Sequence, residues 1–229
     1  FKDLAIKGRS VKGNIVTKLP IKRVELKEEG VSTLKPRKIW FDDTVRRLNT
    51  DERGELLGAF KGNDRLLIVR QNGIVKTIIP EITTHFENDV IVLEKWQPKK
   101  PISVIYWEGE KQRYYLKRFL IEQADKEEQV ITDHPDSQLE LISTDYRPQI
   151  EIEFIKQKGK DRKPNQIINA EEFIAIKGIK AQGNQLTADK VKQINALEPL
   201  KHELDDIESK NVNDESENNS SNESQASLF

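Results

Sequence analysis

The chain contains no cysteine and no methionine. Without cysteine there is no disulfide framework, no thiol nucleophile and no thiolate metal ligand. A chain that starts at Phe1 without a single methionine reads as a fragment or a processed piece of a longer protein. No apolar run approaches the roughly 20 residues of a membrane span, and nothing at the start reads as a signal peptide. Aromatic residues make up only 7% of the chain. Its three histidines, His85, His134 and His202, are too scattered for a metal-ligand pattern. No phosphate-cradling P-loop occurs, so nothing points to a nucleotide site.

Charge, by contrast, is abundant. Of the 229 residues, 34% are charged and 35% hydrophobic. The net charge of −1 averages two unlike regions. Residues 1–50 carry a net +7, residues 1–200 a net +5, and residues 201–229 a net −6. A basic body with an acidic tail is the asymmetry of a polyanion binder with a solvated appendage. From about residue 201 the chain is Asp, Glu, Asn and Ser, too apolar-poor to offset its ordering entropy, and disorder is expected there.

Residues 4–26 recur as residues 174–196 at a constant offset of 170. Leu4-Ala5-Ile6-Lys7-Gly8 matches Ile174-Ala175-Ile176-Lys177-Gly178, Gly13-Asn14 matches Gly183-Asn184, and Ile21-Lys22 matches Val191-Lys192. Internal repetition with β-patterned segments between the copies points to a propeller or another radial array. Leu66–Val69 and Ile74–Ile79 flank Asn72-Gly73, predicting a hairpin on a tight type I′ turn. Val90–Leu93, Ile102–Trp107 with a turn at Glu108-Gly109, Arg113–Ile121, Leu139 with Leu141, and alternating Ile150, Ile152 and Phe154 read as further strands. Residues 156–165 read as a basic loop. Residues 186–197 fit either a short helix or a strand, and Pro20 in the first copy favours strand. Three segments open alike, at Glu55–Phe60, Pro101–Trp107 and Gln138–Thr144, and their spacing predicts about three four-stranded blades behind a leading part-blade.

The motifs Ile6–Lys18, Gly30–Leu34, Arg37–Asp42, Asp64–Val69 with Asn72-Gly73, and Phe173–Gly178 appear in order. Together they resemble the C-terminal domain of the DNA-cleaving A-type subunits of type IIA topoisomerases, and within that family the topoisomerase IV form of Bacteroidetes-type bacteria. The resemblance covers about residues 1–200. It implies an all-β, propeller-like β-pinwheel whose basic rim holds bent duplex DNA for ATP-dependent strand passage. The catalytic tyrosine and the homodimer interface would lie in a part not present here. ATP, magnesium and the partner B-type subunit of topoisomerase IV would serve the whole enzyme in the bacterial cytoplasm. Tyr106, Tyr114, Tyr115 and Tyr146 lack the family's active-site context, so this chain is expected to be silent alone. The glutamine-arginine-arginine-glycine box of the corresponding gyrase subunits is absent, which favours topoisomerase IV.

The residues give their own case for DNA. Lys7, Arg9, Lys12, Lys18, Lys22 and Arg23 form one basic group, and Lys35, Arg37, Lys38, Arg46 and Arg47 a second. Lys111, Arg113, Lys117 and Arg118 form a third, while Lys177, Lys180, Lys190 and Lys192 repeat the first more weakly. One such group alone reads as a solvated charged face. Several at equivalent places in repeated units read as phosphate contacts, sequence-independent and salt-sensitive. Trp40, Trp96 and Trp107 are assigned to packing. The tail ends Gln225-Ala226-Ser227-Leu228-Phe229, which resembles the short peptide that docks on the bacterial sliding clamp. In it Gln225, Ser227, Leu228 and Phe229 would make the contacts. Alternatively, the acidic tail competes with DNA for the basic rim. The repeat pattern alone fits a propeller-like protein-interaction scaffold equally well, and a carbohydrate-active propeller less well, because no acidic strand-end motif recurs.

Overall fold

The computed structural model describes residues 9–10, 12–13, 15, 17–22, 35–122, 126–156, 158–159 and 161–202. The chain divides into a unit of residues 1–33 and a unit of residues 34–229. In the first unit Lys12, Gly13 and Lys18–Lys22 are exposed. Most of the first repeat copy lies outside the described residues, as does the tail beyond His202.

The second unit is almost entirely antiparallel β. Its first sheet holds β1 (Arg37–Asp42), β2 (Arg47–Asn49) and β3 (Glu55–Phe60). Its second holds β4 (Leu66–Arg70), β5 (Ile74–Ile78) and β6 (Val90–Lys95), and its third β7 (Ile102–Glu108), β8 (Arg113–Phe119) and β10 (Gln138–Ser143). Its fourth holds β11 (Gln149–Phe154), β12 (Gln166–Asn169) and β14 (Val191–Leu197), with the single turn of α1 (Ala170–Phe173) after β12. We call these sheets blades one to four. In each, a hairpin supplies the first two strands, and the last strand returns to pair with the first.

Between the hairpin and the returning strand, each later blade lends a short segment to the blade before it. β9 (Glu128–Gln129) leaves blade three to pair with β5, and β13 (Asn184–Gln185) leaves blade four to pair with β8. His85 bridges to Arg47 in the same way between blades two and one. The next residue is apolar and buried each time: Phe86, Val130 and Leu186. Its N–H donates to a carbonyl at the start of the receiving strand, Arg46 at 2.9 Å, Gly73 at 2.8 Å and Tyr114 at 2.8 Å. This strand exchange makes the propeller-like array a β-pinwheel.

Three hydrophobic cores lie between successive blades, and each contains one lent residue. Ile39, Phe41, Leu66 and Ile68 surround Phe86. Leu67, Val69, Val104 and Tyr106 surround Val130. Ile105, Leu116, Ile152 and Phe154 surround Leu186. Burying one such side chain is worth about 1.5–3 kcal/mol, so the lent segments tie the blades together through side chains more than through their two-residue ladders. β4 and β7 have a sheet on both sides, and each carries a continuous apolar run, Leu66–Val69 in β4 and Val104–Trp107 in β7. β11 has one core face and alternates it with Glu151 and Glu153.

Residues 186–197 are strand, not helix, over β14. Two expectations differ from the structure. Glu55–Phe60 and Gln138–Ser143 are the returning strands that close blades one and three, whereas Ile102–Glu108 opens blade three. Both strand types show the same apolar alternation, which hides their different places. At Asn72-Gly73, only Gly73 has a positive φ, 78°. Its N–H donates to Arg70 O at 2.9 Å, giving a three-residue hairpin loop with glycine in the left-handed region instead of a two-residue type I′ turn.

Candidate nucleic-acid interface

Strand direction sorts the basic residues onto two ends of the blades. One end carries the hairpin turns. The other carries the linkers that run into each blade's first strand.

Along the blades, basic side chains brace the lent segments. The Arg46 guanidinium donates to Phe86 O at 3.3 Å and Glu87 O at 2.6 Å and lies 5.0 Å from the Phe41 ring. Lys76 in β5 pairs with Glu127, just before β9, at 3.0 Å, which holds that carboxyl below its usual range. One blade on, Lys117 occupies the matching place in β8: Lys76 faces Ile68 and Lys117 faces Val104 across their hairpins. Its Nζ donates to Ile179 O at 2.8 Å. Lys111 donates to Gln182 Oε1 at 2.8 Å.

Lys117 and Arg118 are only 4% and 5% exposed. Burial without a carboxylate partner lowers the Lys117 pKa to about 8, and Arg118 donates to Tyr146 O in the interior. A phosphate at the surface does not reach either group, so both leave the set of phosphate-binding candidates and become internal braces. Arg46 is also committed to protein acceptors. Arg47, Arg113 and Lys190 remain exposed at the turn end, but among Asp42, Asp51, Asp136 and Asp189. Lys192 lies on the outer face of blade four, paired with Glu153 at 2.9 Å, and that carboxyl is held low by Lys192.

The linker end has a more regular arrangement. A basic group stands at or just before the first strand of every blade: Lys35 with Arg37, Lys61, Lys99 with Lys100, and Arg147. Lys35, Arg37, Lys61 and Lys99 are exposed, and Lys38 is half-buried. Lys100 leans over the Tyr146 ring at 5.6 Å, and Arg147 pairs with Glu171 at 2.8 Å. Lys177 and Lys180, on the segment leaving β12, are exposed at the same end. Lys177 donates to Asn184 Oδ1 at 3.2 Å. The structure therefore brings Lys35, Arg37, Lys38, Lys177 and Lys180 to one end and separates them from Arg46, Arg47, Lys111, Arg113 and Lys190. The grouping by sequence missed Lys61 and Lys99. Their signal was positional: a cation beside glycine or proline, just ahead of an apolar strand.

Arg9, Lys12, Lys18 and Lys22 are exposed in the first unit. Lys7, Arg23, Gln225, Ser227, Leu228 and Phe229 lie outside the described residues. Among the described residues no cluster of three metal-ligating side chains forms, and no helix is long and apolar enough to cross a membrane. Trp96 packs against the second core. Trp40 and Trp107 are half-buried.

Residues 47–198, two thirds of the chain and nearly all of this array, match the family described as the topoisomerase C-terminal domain of Bacteroidota. The chain belongs to that family. No curated protein matches it. The matched stretch of the topoisomerase domain begins at β2, so it contains all three strand exchanges and the linker cations from Lys61 to Arg147.

Proposed function

We propose that this topoisomerase C-terminal domain holds duplex DNA for the DNA-cleaving half of a topoisomerase IV-type enzyme. A basic group recurs before the first strand of each blade, and this observation carries the reading. It offers a row of phosphate contacts at one end of the array, each repeating with the blade. Such contacts position a duplex without reading its sequence. In the whole enzyme the module would present a bent segment for strand passage. Cleavage would fall to the homodimer of which this domain is one part, and ATP and magnesium would be handled with the partner B-type subunit. The setting of that reaction is the chromosome, in the bacterial cytoplasm. The terminal residues Gln225, Ser227, Leu228 and Phe229 would add a tether to the sliding clamp.

The test is fluorescence anisotropy of this chain with a duplex of about 40 base pairs, titrated across salt. A linear fall of log affinity against log salt, steep enough for several neutralised phosphates, supports the reading. Absence of binding at low salt removes it. The alternative, an interaction scaffold, draws on the turn end, where Arg47, Arg113 and Lys190 sit among carboxylates.

A further inference from the structure

Among the described residues, three cavities lie at the turn end, where a blade meets a segment of the next. Asp42, Leu48 and Ile82 line the first, of about 430 Å³. Gln71, Asn72 and His134 line the second, of about 560 Å³. The third, between blades three and four, is the largest at about 740 Å³ and has aromatic walls.

Trp107 and Tyr114 form those walls. They are opposite residues on β7 and β8, and their rings meet edge to face at 4.9 Å. Both remain half-buried, Tyr114 with one side packed against the third core. Glu140 occupies the bulge of β10, the one residue skipped between Leu139 and Leu141 in the pairing with β7, and it lines the same cavity with Asp136. Burial raises the Tyr114 hydroxyl pKa first, and the nearby Glu140 charge raises it further. No ion pair holds Glu140 or Asp136 among the described residues, although Arg113 and Lys190 line the cavity too. Asp189 is already held by Lys163 at 2.5 Å.

An aromatic face beside an unpaired carboxylate is the chemistry that captures a cationic side chain. We infer that the Trp107–Tyr114 cavity binds an arginine side chain from a partner protein, stacked on the aromatic walls and ion-paired to Glu140. The guanidinium suits the site better than an ammonium because it can stack and form a planar fork to a carboxylate. The other two cavities lack the aromatic pair, so the function belongs to this junction alone. The site lies at the opposite end of the blades from the cations proposed to hold DNA, and it stands or falls independently of that reading.

The test uses the full chain and acetyl-Gly-Arg-Gly-amide as probe, followed by NMR of the three tryptophan indole N–H resonances. The expected result is a saturable shift confined to Trp107, at roughly millimolar affinity for so small a probe. Glu140→Gln should weaken it at least about fivefold while leaving the other two indoles unmoved. The Glu-for-Arg probe should give no shift. No Trp107 shift at 20-fold higher probe, roughly 20 mM, overturns the inference. So does an unchanged affinity in Glu140→Gln, or a Trp107 shift produced instead by a nucleoside monophosphate.

Discussion

Lys117 Nζ, buried in β8, donates to the carbonyl oxygen of Ile179 at 2.8 Å, with no carboxylate to neutralise it. Ile179 precedes the strand that blade four lends to blade three, so this contact joins the two blades. The folded pKa of about 8 lies well below the usual lysine value. Between pH 8 and about 10.5 the unfolded chain keeps the proton that the folded chain has released, so stability rises with pH across this window. Below pH 8 both states hold the proton and the penalty is constant. Denaturant titrations should show wild type gaining about 1–3 kcal/mol relative to Lys117→Met between pH 8 and 10.5. A pH-independent difference between the two would contradict the buried, unpaired ammonium.

The lent apolar residues make a second prediction. Leu186 fills the third core and is 3% exposed. Leu186→Ala should cost about 2–5 kcal/mol. Hydrogen exchange should speed up in β8 and β13 before it does in β4 and β5. Equal acceleration in all four blades would mean that the junction does not behave as a separate unit.

Arg46 supplies a third. Its guanidinium reaches two carbonyls of the segment lent by blade two. Arg46→Ala should destabilise by about 1.5–3 kcal/mol, the range for hydrogen bonds to a charged group. The change should leave DNA affinity at moderate salt nearly unaltered. A loss of affinity without loss of stability would place Arg46 on the DNA instead.

Gly183 has a φ of 91°, and a Cβ there would run into the Leu116 carbonyl oxygen. Gly183→Ala therefore combines backbone strain with a backbone clash. It should lower the midpoint of unfolding by several degrees, measured by thermal melting.

Much of the array could be read from residue pattern alone, for physical reasons. Leu66–Val69 in β4 and Val104–Trp107 in β7 are continuous apolar runs because a sheet covers each of their faces, whereas β11 alternates because only one face is covered. The lent strands were not legible. Glu128-Gln129 and Asn184-Gln185 are short and polar and pair through the backbone, so their only marks are the apolar residue that follows and the recurrence of the Gly-Asn motif. Lys117 and Arg118 counted as surface charge because they are basic, yet Leu116 and Phe119 on either side mark a buried strand. Lys61 and the Lys99-Lys100 pair lie far apart in sequence and form a row only when the blades are stacked.

That row carries the account, and the most direct test is the salt dependence of duplex binding by a Lys61→Ala/Lys99→Ala variant. Two lost phosphate contacts should lower the log–log salt slope by about 2, with affinity weakened evenly across sequences. A slope equal to that of the wild-type chain would show that DNA does not follow the linker end of the blades.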